Sequence, residues 1–151
     1  MEQENSVQFH RFLDKATRFV RNYAATDVED SGFKHYHIPF LVAIARTPGV
    51  SQKGLCEKVP LDKSRVSIVV RELIGLGLAV NTSTGKVWSL SLTPAGIEAY
   101  NKSMDTTNRI DEAIFSAVSA DEMESFLDTA QKLSLHIDKI SDEYAEGIDM
   151  S

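Results

Sequence analysis

Residues 60–80 read PLDKSRVSIVVRELIGLGLAV, and this stretch predicts one short helix with two different faces. Asp62 is a favourable N-cap, and Gly77 is a natural stop at the C-terminal end. At about 100° per residue, one side of the helix collects Asp62, Val66, Val69, Val70 and Leu73. The opposite side collects Ser64, Ile68, Arg71 and Gly75, with Arg65, Ser67 and Glu72 beside them. The helix is therefore predicted to bury a valine-rich stripe and to expose a face of cations and hydroxyls.

The whole chain is acidic, yet its charge is unevenly distributed. Its 151 residues carry a formal net charge of −6, with a pI near 5.2. Residues 34–102 hold nine Lys and Arg against four Asp and Glu, a net of +5, whereas the flanks together carry −11. A basic centre between acidic ends predicts a surface that faces a polyanion. On charge alone, a solvated face with chance clustering is an equally open interpretation.

Length and composition are those of an ordinary globular protein. With 42% hydrophobic and 25% charged residues, the chain can bury a core as one domain. No apolar run approaches the roughly 18 residues of a membrane span, and the first residues, rich in acids and amides, do not resemble a secretory signal. Cys56 is the single cysteine, which excludes an internal disulfide and fits a reducing compartment. We therefore expect a cytoplasmic protein.

Apolar periodicity predicts three helices before the opening stretch. Residues 7–23 place apolar side chains at three- and four-residue spacings, and residues 25–33 then read as a loop. Residues 37–50, HIPFLVAIARTPGV, predict a short buried helix that the Pro-Gly pair at 48–49 ends. Ser51 is placed to cap a third helix.

The residues after the opening stretch predict a β-hairpin and two long helices. Residues 78–93, LAVNTSTGKVWSLSLT, place β-branched and aromatic residues on either side of a polar tip at residues 81–85. Thr93 is the N-cap of a long helix whose apolar positions continue to Val118. Residues 119–122 form a capping box for a last helix with a nearly heptad apolar stripe.

The order of these elements indicates a mainly α fold. A helix-turn-helix followed directly by a two-stranded β-wing is a winged helix-turn-helix, which we expect over residues 33–93 as a DNA-binding region. Residues 1–32 and 94–151 are expected to form long terminal dimerisation helices of the same continuous protomer. In a helix-turn-helix the second helix lies in the major groove, and the opening stretch carries its first cations at the end that would meet DNA.

Residues 37–80 and the segment LSLTPAGIEAY, residues 90–100, resemble the MarR family of bacterial transcriptional regulators. The most specific parts are LDKSRVS ahead of L-x-x-x-G-L, and Leu92-Thr93-x-x-Gly96 after the wing. The resemblance is detailed over residues 33–100. It implies a homodimer built from the first and last helices, which binds a pseudo-palindromic operator and usually represses transcription. It also implies that a small aromatic or phenolic ligand, a metal or an oxidant lowers DNA affinity in many members.

Two features depart from the family pattern. The family's wing commonly carries Asp-x-Arg, whose arginine enters the minor groove, and the matching positions here are Thr84 and Lys86. Lysine keeps the charge without the planar guanidinium fork. Ile68 stands where relatives are often basic. Two interpretations of an exposed isoleucine stay open there, contact with a thymine methyl or a surface residue without a role.

Charge, motif and position together favour DNA contact over simple solvation for one set of residues. These candidates are Gln52, Lys53, Lys63, Ser64, Arg65, Ser67, Ile68, Arg71 and Lys86. Which of them contacts bases and which contacts phosphates stays open, and Arg71 has the alternative of pairing with a neighbouring acid. The expected partners are double-stranded DNA and a second copy of the chain.

Aromatic residues predict a small-molecule site near the junction of the terminal helices and the DNA-binding region. The candidates are Phe9, Phe12, Phe33, Tyr36, Phe40 and Tyr100, which also fit a plain core. A small aromatic compound is the expected effector. Cys56 fits a packed core thiol better than a redox sensor. The close pair His35-x-His37 lacks a third ligand nearby in sequence, so we expect no metal and no cofactor.

The sequence lacks a set of residues for catalysis, and we do not expect an enzyme. It contains no Gly-rich phosphate loop and no nucleophile beside an evident base. An alternative function is a winged-helix module that binds proteins without binding an operator. The positive centre and the serine-rich first turn of the opening stretch argue against it, because faces that contact proteins are more often apolar.

Overall fold

The computed structural model describes residues 1–149, without the side chains of residues 146, 148 and 149. The described residues form six α-helices and two β-strands. In chain order they are α1 (Gln3–Asp27), α2 (Ile38–Arg46), α3 (Gln52–Lys58), α4 (Lys63–Gly75), β1 (Ala79–Asn81), β2 (Leu90–Leu92), α5 (Pro94–Phe115) and α6 (Ala120–Asp149). They divide into two compact units, Met1–Ile110 and a second that starts at Asp111 within α5. The last two residues of the predicted region 94–151 lie outside the described residues.

One hydrophobic core occupies the first unit, and α2, α3, α4 and the hairpin supply most of it. Its members include Phe40, Leu41, Ile44, Leu55, Val59, Val66, Val69, Val70, Leu73, Leu78, Ala79 and Leu90. Complete burial of one such valine or leucine contributes about 1.5–3 kcal/mol to the stability of the folded chain. The predicted valine stripe of α4 is confirmed, with Asp62 exposed at its N-terminal end.

The wing is a hairpin with short strands. β1 and β2 pair antiparallel over three residues each. The loop between them covers residues 82–89, so the predicted tip at residues 81–85 is too short. The reason is Asn81, whose Oδ1 accepts hydrogen bonds from the N–H of Ser83 at 3.1 Å and of Ser89 at 3.0 Å. These side-chain bonds take up two N–H groups at the base of the loop, where Thr82 still donates its own N–H to the carbonyl of Ser89 at 2.8 Å.

A third segment of extended chain joins the wing. Leu90 donates its N–H to the carbonyl of Val50 at 2.9 Å, and Gly49 donates to the carbonyl of Leu90 at 2.7 Å. This pairing connects the turn between α2 and α3 to β2, and the sequence did not predict it. The predicted fold class is confirmed: mainly α, with a helix-turn-helix, a two-stranded wing and long terminal helices.

The ends of α1 and α5 differ from those predicted from the spacing of apolar residues, because polar residues also extend or end a helix. α1 extends beyond the predicted residues 7–23 at both ends, because the polar residues that flank this range are also compatible with a helix. α5 ends at Phe115, so Val118 lies outside the helix to which the apolar spacing assigns it. The predicted capping box is confirmed: Glu122 donates its N–H to Ser119 Oγ at 3.2 Å and accepts the N–H of Ser119 at 2.8 Å.

The two longest helices leave most of their side chains exposed. The exposed apolar residues of α1 include Val7, Phe9, Leu13, Phe19 and Val20. Those of α6 include Leu127, Leu133, Leu135, Ile137, Ile140 and Tyr144. Charged residues interrupt both stripes, and among residues 1–149 no helix has the length and apolar character needed to cross a membrane.

A polar cluster around Asp27 joins the end of α1 to α5. Asp27 Oδ2 accepts hydrogen bonds from the Thr106 hydroxyl at 2.5 Å and from Arg109 Nη2 at 2.7 Å, and Lys102 Nζ lies at 3.4 Å. Thr106 is fully buried. The donors lower the pKa of Asp27 to about 2, and the hydrogen bond from Thr106 has the largest effect.

Asp27→Asn is expected to destabilise the protein at neutral pH and to reduce its sensitivity to acid. A carboxyl with a pKa of about 2 in the folded chain and an ordinary value of 3.8 stabilises the folded state above pH 3.8, and this stabilisation is lost as the pH falls to about 2. We expect the substitution to lower the free energy of unfolding by about 1–3 kcal/mol at neutral pH. Urea unfolding at a series of pH values, followed by circular dichroism, should show this difference shrinking across that acidic range.

The matched control is Asp30→Asn, which removes an exposed carboxyl from the loop after α1. We expect it to change the free energy of unfolding by less than about 0.5 kcal/mol. Equal effects of the two substitutions, or an effect of Asp27→Asn that does not vary with pH, would contradict the assigned role of Asp27.

Candidate nucleic-acid interface

The first turn of α4 is fixed by a side-chain cap. Asp62 Oδ1 accepts a hydrogen bond from the N–H of Arg65 at 2.9 Å, and the Asp62 carbonyl accepts the N–H of Val66 at 2.9 Å. The predicted N-cap is thus confirmed. The N–H groups of Lys63 and Ser64 have no hydrogen-bond acceptor within the described part of the chain. Free N–H groups and the helix dipole make such an end attractive to anions.

The other end of α4 closes in a left-handed turn at Gly77. Gly77 has φ +74° and donates its N–H to the carbonyl of Ile74 at 3.0 Å, while Leu78 donates to the carbonyl of Leu73 at 2.9 Å. This pair of bonds is a Schellman motif, in which glycine is favoured because a Cβ is strained at positive φ. Leu73 and Leu78 both lie in the core, so packing holds the helix end as well.

The start of α5 lies directly against this turn. The Thr93 hydroxyl donates to the carbonyl of Gly77 at 2.5 Å and accepts the N–H of Gly96 at 3.0 Å, as expected of an N-cap. Thr93 also donates its N–H to the carbonyl of Leu78 at 3.1 Å. A Cβ added at Gly96 would lie 1.8 Å from the carbonyl oxygen of Leu78, where no atom fits. Gly96 is therefore required for the close approach of α5 to the end of α4.

The predicted contact residues of α4 lie on its outer side. Lys63, Ser64, Arg65, Ile68 and Arg71 are exposed, and Ser67 is half-buried. Within the described residues, no carboxylate lies within 4.0 Å of the side-chain nitrogens of Lys63, Arg65 or Arg71. Arg71 thus does not pair with a neighbouring acid. This face of α4 is positive, and no acid among the described residues neutralises it.

The remaining predicted contacts lie on α3 and on the wing. Ser51 caps α3 by accepting the N–H of Gly54 at 3.0 Å. In the first turn of α3, Gln52 is half-buried and Lys53 is exposed. Lys86 is exposed in the wing loop, residues 82–89. Because α3 and α4 share one core, the first turn of α3 is held in a fixed relation to the exposed face of α4.

A bond between α4 and the turn before α2 was not predicted. His37 is 2% exposed, and its Nε2 lies 2.9 Å from Glu72 Oε2 on α4. Its Nδ1 accepts the N–H of Lys34 at 3.0 Å. The bond from His37 lowers the pKa of Glu72, and a hydrogen bond from Tyr36 adds to this effect. Glu72 is the one acid among residues 63–80, and an acid isolated on a basic helix was a signal for such a partner.

Comparison with solved structures relates this arrangement to known proteins. A MarR transcriptional regulator from Methanosarcina mazei Go1 matches with a TM-score of 0.83 at 17% identity, over 90% of this chain and 99% of that protein. A MarR-family protein from Listeria monocytogenes, solved with a 26mer DNA, matches with a TM-score of 0.78 at 17% identity. The match covers 84% of this chain and 87% of that protein. The chain has the MarR fold. A MarR-family protein from Mycobacterium tuberculosis, solved with p-aminosalicylic acid, matches with a TM-score of 0.67 at 17% identity. The match covers 83% of this chain and 97% of that protein.

These matches confirm the predicted resemblance at the level of the MarR fold. Their sequence identities are low, and no protein-family model and no curated protein matches the sequence. The similarity to these proteins is therefore one of fold and not of extended sequence.

Within the MarR fold, the predicted effector aromatics lie in different surroundings in one chain. Phe33 and Phe40 are core residues, 4% and 0% exposed, whereas Phe9 and Phe12 on α1 are each 45% exposed. Tyr100 is half-buried on α5. Two of the six do share a groove of about 350 Å³: Phe33 and Tyr36 line it together with Gly32, Lys34, His37, Glu72, Gly75 and Leu76. Aromatic spacing did not separate core residues from groove residues, because both are apolar positions of the same elements.

The cysteine and histidines have structural surroundings. Cys56 is half-buried and packs against the core, in line with the prediction. His37 is held by its bond to Glu72, and His35, two residues earlier in the turn, is half-buried. Over the side chains that the structure describes, no three His, Cys, Asp or Glu residues are grouped so that they could hold a metal ion.

Gly96→Ala is expected to destabilise this MarR fold where the wing meets α5. The added Cβ would meet a backbone oxygen, which cannot rotate away as a side chain can, so β1 or α5 must shift. We expect the free energy of unfolding to fall by roughly 1–3 kcal/mol. Urea unfolding followed by the fluorescence of Trp88, the single tryptophan, measures the change because Trp88 packs against the core.

Gly75→Ala provides the matched control. A Cβ at Gly75 meets no atom within 4 Å, and alanine is favoured over glycine in a helix by about 0.5–1 kcal/mol. This variant should be at least as stable as the parent. A Gly96→Ala protein with the parent's unfolding midpoint would refute the close approach at Leu78.

Proposed function

We propose that this protein is a dimeric DNA-binding transcriptional regulator with α4 as its recognition helix. The main support is the outer face of α4, where exposed cations have no acidic partner among the described residues while the opposite face supplies the core. In helix-turn-helix proteins the second helix enters the major groove with its N-terminal residues at the base edges. The Listeria monocytogenes MarR-family protein solved with DNA supports this use of the fold.

The proposed DNA contacts divide into three groups by element. The full set is Gln52, Lys53, Lys63, Ser64, Arg65, Ser67, Ile68, Arg71 and Lys86. The α4 residues contact base edges and phosphates of the major groove, and arginine suits guanine because its fork pairs with O6 and N7. The α3 residues contact the phosphate backbone beside the groove. Lys86 on the wing contacts the adjacent minor groove through its charge.

The distribution of charge supports the same surface. The basic residues concentrate between positions 34 and 102, at a net of +5, and the flanks are strongly acidic. Acidic flanks repel DNA, whereas the basic centre attracts it. Binding is therefore confined to residues 33–93, the proposed DNA-binding region.

A second copy of the chain is the proposed partner of the terminal helices. Apolar side chains along α1, such as Phe19 and Val20, and along α6, such as Leu133 and Ile137, are exposed in one chain. Stripes of this kind on helices are typical of surfaces that another helix covers. A two-fold dimer would hold two recognition helices roughly 34–36 Å apart, which suits a pseudo-palindromic operator. Residues 1–32 and 94–151 are the proposed dimerisation region.

Repression under the control of a small aromatic effector completes the proposed function. A dimer bound at an operator denies other proteins access to the same DNA, which is the simplest way for such a regulator to act. The Mycobacterium tuberculosis relative solved with p-aminosalicylic acid supports ligand binding by this fold. The regulator acts on DNA in the cytoplasm, and none of these roles requires catalysis.

Arg65→Ala and Arg71→Ala are each expected to weaken DNA binding without unfolding the protein. Loss of a phosphate contact lowers affinity for all sequences and reduces the slope of log affinity against log salt by about one per contact. Loss of a bidentate guanine contact costs about 1–3 kcal/mol at one operator position. A dimer doubles either effect. Fluorescence anisotropy, with a duplex that the protein selects from a random pool, measures affinity at several salt concentrations.

Lys132→Ala is the matched control, since it removes an exposed cation from α6, outside residues 33–93. It should keep the affinity and the salt slope of the parent. Circular dichroism checks that each variant is folded. If both arginine variants, folded and dimeric, bind as tightly as the parent, α4 is not the recognition helix. Failure to select any duplex would favour the alternative of a protein-binding winged helix.

The parent is expected to be a dimer at micromolar concentration in sedimentation equilibrium. Leu133→Asp should shift it towards monomer, because an unpaired charge inside an apolar interface is strongly unfavourable. Gln131→Asp introduces the same charge at an exposed polar position of α6 and should leave the dimer intact. A parent that sediments as a stable monomer rules out the dimer.

A further inference from the structure

A small groove with a carboxylate on its wall lies between the turn before α2 and the C-terminal half of α4. It is the groove of about 350 Å³ that Phe33 and Tyr36 line. Phe33 and Leu76 supply apolar walls, and Glu72, with a side chain 40% exposed, supplies a charged group. A space of this size suits a small ligand with one polar group.

The charge of the groove follows from the proton positions on His37. Its Nδ1 accepts the N–H of Lys34 at 3.0 Å, so the ring carries its proton on Nε2 and donates it to Glu72 at 2.9 Å. A doubly protonated ring would place a second donor against the backbone N–H. His37 is therefore neutral, and so is the Tyr36 hydroxyl that also bonds Glu72. In this arrangement of protons, the three groups together carry the single negative charge of Glu72.

No cation of the chain neutralises this charge in the part that the structure describes. The nearest partners of Glu72 are neutral donors, and no lysine or arginine nitrogen of the described residues lies within 4.0 Å of its carboxylate. Lys34 lines the same groove, but its side chain is exposed and forms no ion pair with Glu72. A carboxylate fixed beside apolar walls attracts a cation more strongly than one in open water, because the local dielectric constant is lower.

We propose that this groove binds a small organic ammonium ion with an apolar body. The ammonium group donates hydrogen bonds to Glu72, and the body packs against Phe33 and Leu76. The Tyr36 ring, 42% exposed, offers an aromatic face for a cation–π contact. This ligand class differs in charge from the acid found with the Mycobacterium tuberculosis relative.

Binding there also has a consequence for DNA affinity, and this second part rests on the proposed function. An ammonium group that competes with His37 and Tyr36 for Glu72 weakens the side-chain bonds that join α4 to the turn before α2. Arg71 precedes Glu72 on α4, so a shift at Glu72 displaces a proposed DNA contact. The ligand is therefore expected to lower DNA affinity.

The test is a titration of the full-length, ¹⁵N-labelled protein with benzylamine, followed by nuclear magnetic resonance. The amide signals of Gly32, Gly75 and Leu76 should shift with a dissociation constant of roughly 1 mM or below. Benzyl alcohol and benzoate have nearly the same shape, but they are neutral and anionic. Each should bind at least tenfold more weakly than benzylamine.

Two variants separate the charge from the shape of the groove. Glu72→Gln keeps the size and hydrogen-bonding capacity and removes the charge, so benzylamine should bind at least tenfold more weakly. Gly75 lines the groove one turn after Glu72, and a Cβ added there meets nothing within 4 Å, so Gly75→Leu places a side chain at the groove and should also reduce binding. Glu98→Gln removes an exposed carboxylate from α5 and should bind benzylamine like the parent. If Glu72→Gln does not fold, the ammonium site is tested by Gly75→Leu and by comparing benzylamine with benzyl alcohol and benzoate.

The outcomes for the site and for the regulation are distinct. Absence of shifts with benzylamine, or equally tight binding of benzoate or benzyl alcohol, overturns the ammonium site. Anisotropy with the selected duplex then tests regulation: saturating benzylamine should weaken binding of the parent at least fivefold and leave Glu72→Gln unaffected. Benzylamine that binds without changing duplex affinity overturns the regulatory part alone, and a parent that binds no duplex overturns the proposed function but not the site.

Discussion

The backbone carbonyls of Gly77 and Leu78 accept the hydrogen bonds that join the end of α4 to the start of α5. The turn at Gly77 ends α4, the wing begins at the next residues, and Thr93 bonds to both carbonyls as α5 starts. Gly96 allows α5 to approach closely enough for this. Because three elements meet on main-chain atoms, backbone geometry at this point sets how closely they approach, and the packing of Leu73 and Leu78 in the core holds them there. The positions of α4 and of the wing loop follow from that junction.

Local signals were enough to predict α4, because its cap, its stripe and its stop all lie within residues 62–77. The features that sequence reasoning missed join distant parts of the chain. The pairing of Val50 with Leu90 and the bond of His37 to Glu72 depend on the folded arrangement of several helices, and no short motif encodes them. The wing loop was underestimated for a related reason, since Asn81 acts there through its side chain.

The candidate DNA surface was easier to predict than the candidate effector site. Exposure of Arg65 and Arg71 follows from the period of one helix, and the structure bears out their exposure. Aromatic residues carry less information, because Phe40 in the core and Tyr36 at the groove have similar sequence surroundings and differ only in what packs over them. The bond of Glu72 to His37 could not be predicted from a local pattern, because the two residues are 35 positions apart in the sequence.

The separation of the two faces of α4 has a consequence for how such proteins diversify. Val66, Val70 and Leu73 maintain the core, while Arg65 and Ile68 on the other side contribute almost nothing to it. Mutations on the outer face are therefore nearly free of stability cost, and after gene duplication a copy can change this surface without passing through unfolded intermediates. Selection then acts on the two faces independently.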